Sequence, residues 1–500
     1  MNADLHEPPD SDASPSHLRN WLSLAGAITA IGSLFAFVFL VAIDTFAREG
    51  NPYLGILTYL VAPTFLILGL ALILAGWWWQ RRRAGRRPVA GGAPGLAIDL
   101  RRPRDRRYLL LFGSGGVLFL LLTAFGSYQT YHFTESVTFC GQTCHGVMQP
   151  EFTTYQHGAH ARVSCADCHI GAGASWYVKS KISGTYQVYA TTFNKYERPI
   201  PTPIKNLRPA QETCERCHWP EKFTGNLDRT YVHYLSNKNN TPYTVRLSLR
   251  VGGGQPGQGF FGGIHWHMNV ANRVEYYASD PQRQTIPWIR THSLATGEVR
   301  VYRTKDFTGE PPAGAIRVMD CMDCHNRPAH AYQTANEAVE MNMALGRINA
   351  KLPNIKTTAV KALTQTYPDN DRAAEGIAVA LRAKYGAAED LSTTIAAVQR
   401  IYQENFFPRM KADWRKYPSN IGHKNWPGCF RCHDNNHRTV DGNQAVRSSD
   451  CTACHNILAQ GRGEELTAVT PAGQAFRHPG GELDPDLLCS DCHNGGIQGK

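Results

Sequence analysis

No cysteine in this 500-residue chain stands alone. All fourteen fall into seven pairs, and a His directly follows the second Cys of each. Six pairs are C-x-x-C-H: Cys165-Cys168-His169, Cys214-Cys217-His218, Cys321-Cys324-His325, Cys429-Cys432-His433, Cys451-Cys454-His455 and Cys489-Cys492-His493. The first in the chain is wider by one residue, Cys140-Gly-Gln-Thr-Cys144-His145. With no cysteine left over and His placed so regularly, a disulfide framework is excluded. A thioredoxin-like C-x-x-C occurs once or twice in a chain, and zinc ribbons need no such His. C-x-x-C-H is the spacing of c-type haem attachment. The two thiols add across the haem vinyls and the adjacent His reaches the iron. Seven covalently attached haem c groups are expected. At the widened first motif, a redox disulfide or a metal knuckle competes with haem.

Charge is missing from three long stretches, 21–43, 53–79 and 108–128. Each is long enough to span a bilayer core, which needs about 20 residues. The run 21–43 also lacks what a cleaved signal would carry. Only Arg19 precedes it and no A-x-A site follows, so it reads as an anchor. The loop 44–52 holds Arg48 as its one basic residue, whereas 80–107 holds ten Arg against Asp99 and Asp105. The positive-inside rule puts 80–107 and the tail 1–20 in the cytoplasm and everything after about residue 128 in the periplasm. Haem attachment outside the cytoplasmic membrane demands the same side. The location expected is therefore a bacterial inner membrane, multi-pass.

The net charge of +11 is misleading. Much of it sits in the Arg-rich loop, and seven haems would add about fourteen propionates to the periplasmic part. Nucleic-acid binding, the usual reading of a basic chain, therefore has little support.

The fold class expected is a membrane-anchored multihaem cytochrome c. Three N-terminal transmembrane helices (21–128) lead into a mainly α/irregular periplasmic haem domain with a small β-rich insert. Residues 129–220 carry three motifs. The region 221–320 contains "YTVRLSLRV", "RVEYYAS" and "GEVRVYR", alternating pieces that read as strands at about 228–308. Residues 321–422 hold the fourth motif and helical stretches such as "DRAAEGIAVALRAKYG". Residues 423–500 hold three motifs among loops.

An iron with one His keeps a sixth position that electron carriers fill with His or Met. Of the 20 His, His160, His265, His267, His330, His423, His437 and His478 are the candidate second ligands; His132, His157, His233 and His292 are less suggestively placed. His265 and His267 in "GIHWHMN" have strand spacing, which would aim both at one face. No motif ends in Lys instead of His, so no iron except that of the first motif advertises a vacant site.

The anchor leading into "CGQTCHGVM" and "YQHGAHARVSCADCH" resembles the NapC/NirT family of membrane-bound quinol dehydrogenases. The stretches "WYVKSKISG", "ETCERCHWPEKF", "CMDCHNRPAH" and "LCSDCHNGG" look like its larger seven-haem inner-membrane branch. The resemblance implies that quinol is oxidised beside the first haem and that electrons pass along the others to a soluble periplasmic partner. It makes Met148 the axial-ligand candidate and places Lys179 or Lys181 at the quinol pocket. Some members have an acid shortly after that Lys; here Ser183 stands nearby, so Glu151 is taken as the proton acceptor. Independently of the resemblance, only the first motif directly follows an apolar run, where a lipid-borne quinol arrives. The chain thus reads as a seven-haem quinol dehydrogenase working between the membrane quinone pool and periplasmic cytochromes or reductases. A terminal reductase of a small nitrogen compound and a pure electron relay are the alternatives.

Overall fold

The computed structural model describes residues 21–46, 57–84 and 100–496, apart from 172–173, 205–206, 253–261, 387, 448–449, 483 and 485–486. The tail 1–20, most of the loop 44–52, the start of the run 53–79 and residues 85–99 of the Arg-rich loop lie outside them. The chain forms two compact units, Met1–Thr143 and Cys144–Lys500.

In the first unit the helix Trp21–Phe46 packs along the helix Ala62–Ala84. Small residues let the backbones touch: a Cβ on Gly69 would lie 2.6 Å from the Ala30 nitrogen. Close approach through small residues is how helices associate in lipid, where no hydrophobic force drives them together. Ser33 Oγ donates to the Ala62 carbonyl across the same seam. Pro63 has no N–H for the Tyr59 carbonyl, and the backbone before it relaxes into a π-helical turn, Leu57–Val61. The Ser127 hydroxyl, on the helix Pro103–Thr134, donates to that Tyr59 carbonyl at 3.0 Å. A neighbouring helix thus bonds to a backbone carbonyl close to the proline.

Among the described residues, two helical segments, Trp21–Ile43 and Leu57–Arg82, are long and apolar enough to cross a membrane. Three such spans were expected from the sequence. The run 108–128 lies inside the helix Pro103–Thr134, directly behind Arg106 and Arg107. Several of its side chains lie outside the described residues.

The second unit has one large side-chain core. Helices Ala335–Ala344, Ile355–Thr364, Asn370–Tyr385 and Leu391–Asn405 meet around Val339, Ile355, Leu363, Ile377, Leu381 and Val398. Their apolar residues recur at helical spacing, as in Leu391, Ile395 and Val398. Thr334 and Asp369 cap two of them by accepting from the Glu337 and Arg372 N–H groups.

Strands β1 (Asn226–Tyr234), β2 (Pro242–Arg250), β3 (Asn272–Tyr277), β4 (Trp288–Ser293), β5 (Val299–Arg303) and β6 (Arg317–Val318) come from the expected insert region. They do not close on themselves. β7 (Arg438–Thr439) joins a five-stranded sheet of order β6-β3-β4-β5-β7, and β8 (His455–Gly461) joins β1-β2-β8. Both sheets are therefore completed from the C-terminal motif region, and β8 starts at a motif histidine.

Candidate haem centres

The motifs fold into single tight turns. Cys165–His169, Cys321–Cys324 and Cys489–Cys492 are one-turn helices. In four motifs the His N–H bonds back to the first Cys carbonyl: His218 to Cys214 at 2.8 Å, His325 to Cys321 at 2.8 Å, His433 to Cys429 at 3.1 Å and His493 to Cys489 at 2.9 Å. One helical turn brings residues i, i+3 and i+4 to one side, so thiols and imidazole can address one porphyrin. The Asp within two motifs stabilises the turn. Asp323 accepts the Asp320 N–H at 2.7 Å, and Asp491 accepts the Leu488 N–H at 2.9 Å. Asp323 is itself a buried hub, receiving the Tyr276 hydroxyl at 2.6 Å, Arg283 at 2.8 Å and Arg317 at 2.9 Å. Sequence reading missed this role, although Asp stands at that place in three motifs.

Each motif histidine from the second motif to the seventh faces a second imidazole. The ring centroids lie 6.3 Å apart for His169–His330, 6.0 Å for His218–His160, 6.4 Å for His325–His265, 5.9 Å for His433–His267, 6.2 Å for His455–His423 and 6.1 Å for His493–His478. Two imidazoles on opposite sides of one iron, with metal–nitrogen bonds of about 2.0 Å and about 1.1 Å from nitrogen to ring centre, have centroids about 6.2 Å apart. The residues therefore fit iron between each pair. Among the described residues no three His, Cys, Asp or Glu side chains converge as a bare-ion site would need. A pair suffices for an iron that brings four porphyrin nitrogens of its own.

Four second imidazoles are oriented by their far nitrogen. Nδ1 donates to the Pro328 carbonyl from His160 (3.1 Å), to Val251 from His265 (3.0 Å), to Ile264 from His267 (2.9 Å) and to Glu151 from His330 (2.9 Å). This leaves Nε2 as the free lone pair, the arrangement that fixes a ligand's tautomer. His478 differs, because its Nδ1 accepts from the Gly480 N–H at 3.1 Å. Burial pushes His169, His265, His267, His325, His330, His423 and His455 toward the neutral, ligating form, and takes His433 and His493 down to about 4.

The thiols form a file in sequence order. Cys168 lies near Cys217, Cys324 near Cys429, Cys454 near Cys429, and Cys489 near Cys451. Between the third and fourth motifs the Cys214 thiol donates to Cys321, which raises the pKa of the first and lowers that of the second. Successive motifs from the second to the seventh are thus neighbours. All fourteen cysteines, including Cys140, Cys144, Cys165 and Cys492, are free of disulfides.

The first motif is built differently. Phe139–Thr143 forms a π-helical turn, whose i→i+5 bonds absorb one residue more than an α turn does. The helix His145–Gln156 follows, with the Met148 N–H bonded to the Cys144 carbonyl at 3.0 Å. Met148 is half-buried; the side chain of His145 lies outside the described residues. Lys179 and Lys181 sit on the helix Ala174–Thr192, their Nζ atoms 4.5 Å and 4.8 Å from the Trp176 and Tyr177 ring centres. Glu151 is held elsewhere, in an ion pair with Arg327 at 2.8 Å.

Two sequence expectations meet different geometry. His265 and His267 lie on a 3₁₀ turn, Ile264–Met268, rather than on a strand. Residues two apart diverge on such a turn, so they serve two different motif histidines. Both ring nitrogens of His437 are engaged elsewhere than on a described motif histidine: its Nδ1 lies 2.8 Å from Asp434 and its Nε2 2.6 Å from the Ile286 carbonyl. Of the less suggestive histidines, His157 pairs with Glu404 at 3.4 Å and His233 with Glu340 at 2.9 Å.

Comparison with known proteins agrees with this chemistry. The NapC/NirT cytochrome c family, N-terminal region, matches residues 102–200. The cytochrome c-type protein ImcH of Geobacter sulfurreducens is 40% identical over 496 residues, covering 95% of each chain. The cytochrome c-type protein NrfH of Wolinella succinogenes is 35% identical over 78 residues, 15% of this chain and 44% of that one. No solved structure matches. Likeness of that extent along nearly the whole length, together with the family's own N-terminal region, means that the chain belongs to the NapC/NirT-type membrane-bound multihaem cytochromes c.

Proposed function

We propose that this protein oxidises membrane quinol at its first motif and passes electrons along six bis-histidine centres to a soluble acceptor in the periplasm. The observation that carries the reading is the set of six imidazole pairs at iron-spanning distance. Haem c held at the seven motifs supplies the one-electron carriers. Filled sixth positions favour conduction over substrate reduction, so a terminal reductase is the weaker reading.

The first motif stands apart in its widened spacing and in having Met148 close behind it. A thioether at the sixth position raises a haem potential, which suits the acceptance of electrons from quinol. Lys179 and Lys181 would hold the quinol oxygens by donating hydrogen bonds. Their ring contacts with Trp176 and Tyr177 limit the freedom of the two ammonium groups. The geometry of Glu151, taken from sequence as the proton acceptor, favours another role.

Periplasmic placement of the motifs requires an odd number of crossings if the N-terminus is cytoplasmic. We therefore assign the third crossing to the helix Pro103–Thr134. Its 32 residues rise about 48 Å, beyond the roughly 30 Å of a bilayer core. Leu110, Leu111, Val117, Leu121 and Phe125 on it are exposed within the first unit, as lipid-facing residues would be.

The test is anaerobic addition of a menaquinol analogue to detergent-purified protein while the haem α-band is followed. Met148→Leu and Lys181→Ala should each slow reduction at least tenfold without loss of bound haem. Rates unchanged in both variants would remove the quinol site from this part of the chain.

A further inference from the structure

Glu151, Arg327 and His330 form one closed figure. Arg327 Nη2 donates to Glu151 Oε2 at 2.8 Å, and its Nε donates to the His330 carbonyl at 2.7 Å. His330 Nδ1 donates to the Glu151 carbonyl at 2.9 Å and lies 3.5 Å from the Glu151 carboxylate. The guanidinium is wedged beside two aromatic rings, 4.9 Å from the centre of Tyr332 and 4.1 Å from that of Tyr417. Those rings stack on each other at 5.3 Å. The Tyr332 hydroxyl reaches the other carboxylate oxygen of Glu151 at 3.4 Å. The pair is well shielded, with Arg327 12% and Glu151 15% exposed.

We propose that Arg327 and Glu151 are positioning residues that present His330 to the iron opposite His169. The figure holds His330 at two points, its backbone carbonyl and its Nδ1. The Arg327–carbonyl bond fixes the backbone of His330, and the Glu151 carbonyl fixes the tautomer and aims Nε2 at His169. The carboxylate holds the arginine in place. Charged pairs of this kind are specific because guanidinium geometry is rigid. Arg327 stands two residues after His325, the motif histidine of a different centre, and Glu151 lies on the helix behind the first motif. The figure therefore ties the chain segments of three motifs together. A carboxylate committed to it is a poor candidate for shuttling protons from quinol. The inference rests on the His169–His330 pairing of the proposed function.

The test uses the haem-loaded protein in detergent, with haem content verified by intact mass. Arg327→Gln and Glu151→Gln should each produce a high-spin signal equivalent to one haem per chain in resonance Raman and paramagnetic resonance spectra. Added imidazole should restore low spin, because the vacated position accepts it. Arg327→Lys should give a partial effect, since it keeps the charge but has no Nε to hold the carbonyl. His330→Ala should give the full high-spin signal, and adding Arg327→Gln to it should change nothing further. Fully low-spin spectra with unchanged midpoints in both Gln variants, beside a high-spin His330→Ala, would overturn the clamp alone. A low-spin His330→Ala would overturn the pairing itself. Should Arg327→Gln fail to take up haem, Glu151→Gln decides the matter, since it keeps the backbone bond to His330 and removes only the charge.

Discussion

Glu340 offers the sharpest energetic test of the second unit. Its side chain is 5% exposed, yet it carries a charge among charges. It accepts from Lys356 Nζ at 2.8 Å, His233 Nδ1 at 2.9 Å and the Tyr234 N–H at 3.1 Å, with Lys424 at 4.0 Å. Burial alone raises a carboxyl pKa, but these partners more than reverse it, from 4.5 down to about 2. At 1.36 kcal/mol per unit, the depression corresponds to at most about 3 kcal/mol of folding stability, part of it offset by Lys356, whose pKa burial lowers. Breaking a buried pair from one side costs about 3–5 kcal/mol in other proteins, so two routes agree. Because the folded pKa lies below the unfolded one, the contribution is full above about pH 4.5 and is lost as pH falls through about 2. Glu340→Gln should therefore destabilise the haem-loaded protein by about 3 kcal/mol at pH 7. The gap from wild type should close as the pH is lowered toward 2. Denaturant melts of helical circular dichroism would measure it, with hydrogen exchange of Ala335–Ala344 and Ile355–Thr364 as the local readout. A double variant with Lys356→Met should recover much of the loss, since it leaves no stranded ammonium. A difference under about 1 kcal/mol, or one that does not change with pH, would refute the reasoning. The cluster also bears on electron transfer, because Lys424, Lys356 and Glu340 all act on His493. Removing the Glu340 charge should raise the potential of the centre at Cys489 and Cys492.

Other outcomes follow from the pairing. His265→Ala should open only the centre at Cys321 and Cys324, and His267→Ala only that at Cys429 and Cys432; paramagnetic resonance should resolve two different haems, and one common target would refute the divergence of the 3₁₀ turn. His437→Ala should leave every haem low-spin while lowering stability by about 1–3 kcal/mol, the penalty for stranding buried partners; thermal melts and spectra together would check this.

The motif cysteines and their adjacent histidines were legible because their chemistry is local. Thiol, thiol and imidazole sit within five residues, and the spacing alone says what they hold. Six of the seven histidines proposed from sequence as second ligands face a motif histidine, but which faces which was not legible. His330, close behind His325 in sequence, faces His169, while His325 itself faces His265. Only the tertiary fold decides such partners. His437 misled because a polar ring near a motif looks the same whether it binds iron or Asp434. The helices 335–405 were readable from their 3.6-residue period, whereas the two-residue β7 is too short to announce its distant partner strand and β8 begins inside a motif, where the Cys and His spacing masks any strand pattern. The π turn at Phe139–Thr143 had a signal in the extra residue of the first motif, but only the backbone shows how that residue is absorbed.

The distribution of buried side chains explains why the pairs span such distances. Most of the second unit's buried apolar residues belong to the helices and loops between Ala335 and Tyr417. After that, among the described residues, only Ile457 and Ala459 are buried hydrophobics, although three motifs lie there. A segment so poor in apolar core cannot by itself offset its chain entropy. What ties it down is cross-connection: β8 to β2, β7 to β5, His267 to His433, and the ion cluster around Glu340 to the last motif. If iron joins each imidazole pair, every centre doubles as a staple between remote stretches of chain, in the way metals stabilise small domains. The C-terminal centres then owe their geometry to the same bonds that make them conduct. Loss of a second ligand there should loosen structure and shift potential together, whereas the helical core should survive it.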